Sequence, residues 1–452
     1  MKKLLNILLI TSLLFIAASC SKKLDVLPQN YATADLIKSS SDVEALIFGG
    51  YTQLQDYGAF GQEFLMVPDL LASDSQLVWV GTYSQYKDIR NKKIVSSNSV
   101  VTHIWGNGYN AINIANTVLD KISVVDSSKK DLLEGEARFI RATIYFELVG
   151  LFGKPYADGN AATNLGVPLV LLPTYAYDAV KNKPARATVK TIYNLVIADL
   201  LIAINKLPEK NTDSRATSYS AKAILSRVYL NMGDYTNAAL KANAIIDSAK
   251  FSLASTYDVA FNNNSNSPED IFAVQQSTQS NAGGNSLATF YAPQALGRGD
   301  AQIDNNFKSI FGSNDFRASF ITAGYSISGA NGNYTNKWAL FYKAIPVARL
   351  AEMYLTRGEA NLAAGTQVGA LPLDDINFVR ARSGAAALNS ITQIDFAAER
   401  FRELAFEGDR YWTKKRLQLT IDGLGFDDDK LILPIPQREM DANTNLIQNT
   451  GY

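Results

Sequence analysis

The chain has 452 residues, 43 basic and 43 acidic side chains, one cysteine and one histidine. Balanced charge argues against a nucleic-acid partner, one histidine cannot assemble a His-based metal site or proton relay, and one cysteine cannot form an internal disulfide. The fold must therefore rest on its core, and 47% hydrophobic residues provide material for a large one. Length alone points to about three domains, although a helical superhelix runs longer as one unit.

At the N-terminus, Lys2 and Lys3 precede an apolar run from Leu4 to Ile16 that is broken only by Asn6, Thr11 and Ser12. Ala17, Ala18 and Ser19 are the small residues beside which a signal peptidase cuts. Cys20 follows directly, and the junction resembles a bacterial lipobox. That resemblance implies a leader over residues 1–19, cleavage before Cys20 and acylation of its thiol and new amino group. Several acyl chains anchor stably where one holds only marginally. The alternative, an ordinary signal peptide with a chance cysteine, leaves unexplained why the chain uses its only cysteine here. Beyond Cys20 no apolar run reaches the ~18 residues of a membrane span.

Helical patterns then recur. Asn110 to Ile122 reads as a short helix paired with 131–152. Within Glu134 to Phe152, Ala137, Ile140, Ile144, Leu148 and Leu151 share one helical face, and Gly153 and Pro155 are stop signals. Val189 to Leu207 follows, with Thr188 as its N-cap. Ser220 to Ser248 places two apolar helices around Met232-Gly233-Asp234-Tyr235, with Ala223, Ala238 and Ala239 allowing close approach; this resembles a tetratricopeptide repeat. A further pair is expected at Val347 to Ala364 and Asp374 to Arg382. The repeats are degenerate, so the pattern predicts an all-α helix-pair scaffold rather than a regular solenoid, with long irregular loops and a few short strands. Residues 60–105 and 252–340 break the helical texture, and Ile271 to Gln275 reads as a small strand. Long loops inside a compact domain are usually functional or disordered, and their scattered aromatics favour function.

No constellation for catalysis emerges. The chain has no Gly-rich phosphate loop and no serine-nucleophile elbow. Carboxylates are numerous, but no spacing nominates a glycosidase pair. Asp427 to Asp429 lacks a calcium-loop spacing and reads as a solvated loop, so neither metal nor cofactor is expected. In the run from Glu399 to Arg416, Arg400 with Glu403 and Glu407 with Arg410 are three apart and would pair on one helix. Phe401, Leu404 and Ala405 would form its packing face, with Gly408 loosening its middle.

Several segments together resemble one family, SusD/RagB. They are CSKKLDVLPQ from Cys20, GEARFIRATIYFELVGLFG, ARLAEMYLTRGEANL, ERFRELAFEGDRYWTKKR and, most specifically, LILPIPQREMDANTNLIQNTGY at the C-terminus. One departure is Asp409-Arg410-Tyr411, where the family often has His-Arg-Trp. The resemblance implies an all-α, tetratricopeptide-like helix-pair superhelix built on four helix pairs with irregular loops over one side, forming a single SusD-like domain over 20–452, with an N-terminal part of about 20–310 and a C-terminal part of about 311–452. It implies an outer-membrane lipoprotein without catalytic activity, cell-surface facing by family analogy. Such a protein captures an oligosaccharide and acts as the lid of a SusC-like TonB-dependent transporter. Alternatives are a peptide-capturing RagB-like lid and a helical-repeat scaffold without a small ligand.

A sugar site needs aromatic platforms and hydrogen-bonding side chains on loops held by a rigid scaffold. In the two non-helical stretches the expected platforms are Trp79, Tyr83, Tyr86, Tyr291 and Tyr334. The expected hydroxyl contacts are Asp74, Gln76, Arg298 and Asn331.

Overall fold

The computed structural model describes residues 34–452 other than 75, 177 and 179–181. The leader expected over residues 1–19 and Cys20 lie outside the described residues. About half of the chain is helical, in fourteen α-helices with eight short strands among the described residues.

Helix α1 (Ser40–Gln55) starts on a Ser39/Asp42 capping box, and α2 (Glu63–Leu71) and α3 (Ser84–Arg90) follow. The stretch 60–105, expected to be loop, therefore holds two helices and the start of a third. Next come α4 (Ser99–Asp120), capped by Asn98, and α5 (Ser127–Phe152). Thr188 accepts from the Thr191 amide to cap α6 (Val189–Lys206), as its sequence position predicts. Helices α7 (Ser218–Met232) and α8 (Tyr235–Ile246) turn at Gly233, whose φ is +77°. The short α9 (Leu287–Tyr291) precedes α10 (Leu350–Ala364) and α11 (Pro372–Arg382), and α12 (Gln393–Glu403), α13 (Asp409–Arg416) and α14 (Gln437–Ala442) close the chain.

Each main helix packs on its predecessor: α4 on α1, α5 on α4, α6 on α5, α7 on α6, α8 on α7, then α10 on α8 and α11 on α10. One hydrophobic cluster runs from Leu54 to Leu446. The strands β1 (Leu77–Trp79), β5 (Ala301–Ile303), β7 (Asn331–Thr335) and β6 (Ile321–Tyr325) form an antiparallel sheet in that order. Two smaller ladders join β2 (Leu165–Pro168) to β3 (Arg186–Thr188), and β4 (Asp270–Val274) to β8 (Ile345–Arg349).

The C-terminal signature has a structural use. A helix leaves its last four carbonyls without intrahelical partners, and the end of α5 is buried. Gly153 N–H takes Val149 O at 2.9 Å, and Gly150 O faces the Tyr411 hydroxyl at 3.1 Å. Leu433 N–H donates to Leu151 O at 2.8 Å, and the Asn449 amide donates to Phe152 O at 2.8 Å. The last twenty residues thus complete a helix laid down three hundred positions earlier.

The run Glu399 to Arg416 is not one helix. Phe406 (φ +63°) and Gly408 (φ +79°) break it between α12 and α13, so the expected three-apart pairs do not form. Arg400 instead grips Asp409 at 2.5 Å, and Arg410 faces Asp74 at 3.6 Å. Glu403, fully buried, accepts from Arg349 at 2.7 Å and Arg317 at 3.1 Å and pairs with Arg382. Arg349 also reaches Glu407 at 2.8 Å and Glu269 at 3.1 Å, while Lys337 binds Glu407 at 2.5 Å. Burial pushes the Glu403 carboxyl upward, but Arg382, Arg349 and Arg317 outweigh it and hold the group well below the ordinary range.

Removing one member of a buried ion pair strands its partners in a medium that cannot solvate them, at a cost of about 3–5 kcal/mol. Arg349→Ala is therefore expected to lower unfolding stability by about that amount in urea titration; an unchanged midpoint would contradict this role.

Glu147 on α5 is the opposite case. It lines a cavity of about 30 Å3 beside Arg227 and Glu352, and its Oε2 has no hydrogen-bond partner among the described residues. Burial raises its pKa to about 7 from 4.5. Above pH 7 the folded state carries a buried, incompletely paired charge; the penalty fades as pH falls from 7 and is gone below the unfolded value. Glu147→Gln should stabilise the protein at pH 8 by on the order of 2 kcal/mol, with the advantage shrinking toward pH 4. A pH-independent difference in melting would refute it.

Candidate ligand-binding surface

Three loops meet at one end of the four-stranded sheet. One follows β1, one precedes β5, and one is the turn of the β6–β7 hairpin. Backbone bonds lace them: Val80 N–H to Asp300 O at 2.9 Å, Ile327 N–H to Arg298 O at 2.7 Å and Gln294 N–H to Tyr325 O at 2.8 Å. The Ser328 hydroxyl adds a bond to Val80 O at 3.1 Å.

Arg298 is the centre of this arrangement. Its Nε donates to Asp300 Oδ2 at 2.8 Å, its Nη2 to the Thr82 hydroxyl at 3.2 Å, and its guanidinium lies 4.8 Å from the centre of the Tyr83 ring. Asp300 is fully buried; burial raises its pKa and the Arg298 pair opposes that shift. Gly81 backs directly onto this carboxylate, since a Cβ there would fall 2.3 Å from Asp300 Cγ. The cation is thus fixed from behind, and it holds Tyr83 in turn. Around it Tyr83 is 40% exposed, Tyr325 58%, Ile327 48% and Leu296 46%. Ring faces with an apolar rim, next to a guanidinium, a threonine hydroxyl and the exposed Asn331, suit the C–H faces and hydroxyls of a sugar.

Of the nine residues expected from sequence, the structure brings Tyr83, Arg298 and Asn331 to this surface. The other aromatic platforms require correction. Trp79 points inward from β1, is 6% exposed, and packs against Tyr86 at 5.0 Å and Phe290 at 5.8 Å. Tyr86 is buried with its hydroxyl on Gln62 at 2.9 Å, and Tyr291 is buried with its hydroxyl on Asp69 at 2.9 Å. Tyr334 is buried with its hydroxyl on Ala330 O at 2.8 Å. A ring enclosed on both faces offers a ligand no platform; these side chains are worth more as core area.

Two polar expectations also change. Asp74 is engaged by Lys414 at 2.5 Å, and Gln76 is fully buried. Neither end of the Gln76 amide has a partner among the described residues. Sequence reading missed Leu296, Tyr325 and Ile327. The available signal was the hairpin pattern ITAGYSISGANGNYT, two strand-like runs around a Gly/Asn/Ser-rich turn, which puts Tyr325 at a strand end. Elsewhere, His103 stands edge-on to Tyr57, with ring centres 5.1 Å apart. Among the described residues no three His, Cys, Asp or Glu side chains are grouped to hold a metal ion.

A family model described as SusD-like, "Starch-binding associating with outer membrane", matches residues 24–230. SusD-like protein P2 of Formosa agariphila is 25% identical over 93% of this chain and 94% of its own. Among solved structures, a putative sugar binding protein from Bacteroides vulgatus superposes with a TM-score of 0.81 at 26% identity, covering 92% of this chain and 99% of that one. A SusD superfamily protein from Bacteroides thetaiotaomicron gives a TM-score of 0.82 at 23% identity, covering 91% of this chain and 99% of that one. The helical scaffold, the signature segments from Glu134 to the C-terminus and these likenesses converge: the chain is similar to SusD-like proteins along most of its length, and over residues 24–230 it matches the SusD-like family model.

Proposed function

We propose that the chain captures an oligosaccharide at the surface around Tyr83, Arg298 and Tyr325 and presents it as the lid of a SusC-like TonB-dependent transporter in the outer membrane. In this reading residues 20–452 form one SusD-like domain, and its successive helices make a tetratricopeptide-like superhelix that carries the three loops. Acyl chains on Cys20 tether it to the membrane at the cell surface. The observation that carries the reading is the exposed Tyr83 ring clamped by an Arg298 that is itself buttressed by buried Asp300. The sugar-binding description of the Bacteroides vulgatus relative supports it. Binding without chemistry fits the site: its one buried carboxylate is committed to a guanidinium.

Calorimetric titration with a panel of soluble glycans and short peptides tests the ligand class. Saturable glycan binding is expected; binding to peptides alone would overturn the oligosaccharide reading. Tyr83→Ala should weaken the glycan by roughly 1 kcal/mol, the size of an aromatic contact, and leave melting unchanged. Trp79→Ala should instead destabilise the fold. Equal affinity of wild type and Tyr83→Ala would place the ligand elsewhere.

The anchor is tested separately. Cys20→Ala should release the protein from the membrane fraction, and retention there would refute lipid attachment at this residue.

A further inference from the structure

A second feature lies at the other end of β6. The connection from β5 to β6, the turn after α11 and the outer side of α12 enclose a groove of about 350 Å3, lined by Ile310, Ser313, Asn314, Arg380, Ala386 and Arg402 among others. The charge behind it does not balance. Glu399, fully buried, faces three guanidiniums: Arg317 at 2.7 Å, Arg380 at 2.6 Å and Arg402 at 3.4 Å. Asp315 is committed to Arg317 through both oxygens, at 2.9 and 2.7 Å. Arg317 also reaches Glu403 at 3.1 Å in the adjoining half of the network, among Arg349, Arg382, Glu269 and Glu407. Arg380 and Arg402 are thus left to share the one carboxylate of Glu399 where the cluster opens to the groove.

The two groove arginines are held rather than mobile. Arg380 Nε and Nη2 donate to Ala386 O at 2.8 and 2.6 Å, and Arg402 Nε donates to Ile310 O at 2.8 Å. Arg402 holds Glu399 only at 3.4 Å and its side chain is 24% exposed, so this anchored guanidinium presents N–H donors to the groove at low entropic cost. At the rim, Phe316 is 67% exposed, with its ring lying over the backbone of Gly384. A fixed guanidinium pair with surplus charge beside an open aromatic face suits an oxyanion carried on a ring. From the groove residue Asp315 the chain runs through a short 3-10 turn (Phe316–Phe320) into β6, which ends at Tyr325, so one continuous segment leads from the groove to the Tyr83 surface.

We propose that the groove is a second ligand subsite, taking a uronate carboxylate or a sulfate ester of a saccharide whose other end lies on the Tyr83 surface. The inference rests on the saccharide reading above and narrows the nutrient to anionic glycans.

The test uses the full-length chain in detergent. Crystals soaked in selenate should show an anomalous peak between Arg380 and Arg402 that is lost in Arg402→Gln. In calorimetry, trigalacturonate or a sulfated galactan trisaccharide should bind at least about tenfold tighter than a neutral galactan trisaccharide, as expected for a charge-assisted hydrogen bond. Whichever acid prevails identifies the source of the oxyanion. Arg402→Gln should abolish the preference while leaving the neutral affinity intact, and Phe316→Ala, a change at an exposed side chain, should weaken the acidic ligands. The proposal is overturned if no selenate peak appears, if acidic and neutral ligands bind alike, or if the preference survives Arg402→Gln. Failure of every saccharide to bind, with selenate still in the groove, would instead remove the saccharide reading and leave an oxyanion site.

Discussion

The buried ionic network around Glu403 is the interaction on which the rest of the structure depends. Charges are not placed in an interior unless each is paired and hydrogen-bonded, because desolvation otherwise exceeds the Coulombic return. Here Arg349 ends β8, Arg382 ends α11, Arg317 leads toward β6, and Glu403 ends α12. Four elements remote in sequence must therefore reach one point within hydrogen-bond distance, or none of them is stable there. This directional demand fixes how the C-terminal helices meet the strand-bearing segment, which a purely apolar contact would specify more loosely.

The same logic, on a smaller scale, governs the proposed binding surface. Asp300 is buried against Gly81, so its carboxylate has one productive partner, Arg298. Arg298 then has one productive place for Tyr83. A preorganised side chain gives up little conformational entropy when a ligand arrives, and this is what the proposed role asks of a modest patch of two tyrosines and two aliphatic side chains. The helices contribute rigidity: the end of α5 is closed by Tyr411, Leu433 and Asn449, which ties the last turn of a central helix to the C-terminus.

Legibility from sequence followed the range of the forces involved. Helices with a periodic apolar face, a cap and a stop, such as α5 and α6 with Thr188, were readable because each signal is local. The small strand at Asp270–Val274 was readable for the same reason. The run from Glu399 to Arg416 misled: spacing offered Arg400–Glu403 and Glu407–Arg410 pairs, but buried partners from β8 and α11 claimed the glutamates and the chain broke to let them. Aromatic residues misled in the same way. Tyr83 and Trp79 look equivalent in sequence, yet β1 turns the tryptophan into the core and leaves the tyrosine after it at the rim.

What the sequence by itself determined was the helical scaffold, the resemblance to SusD-like proteins, and the region in which aromatic and polar loop residues gather, because periodicity, caps and signature segments are properties of neighbours along the chain. What only the tertiary structure decided was which rings face solvent, which carboxylates are already spent on buried arginines, and that Tyr83, Arg298 and Tyr325 share one surface. Those outcomes depend on burial and on contacts across separations that reach 54 positions for Arg349 and Glu403 and 216 for Arg298 and Thr82, and no local pattern encodes which of several similar side chains the core will claim.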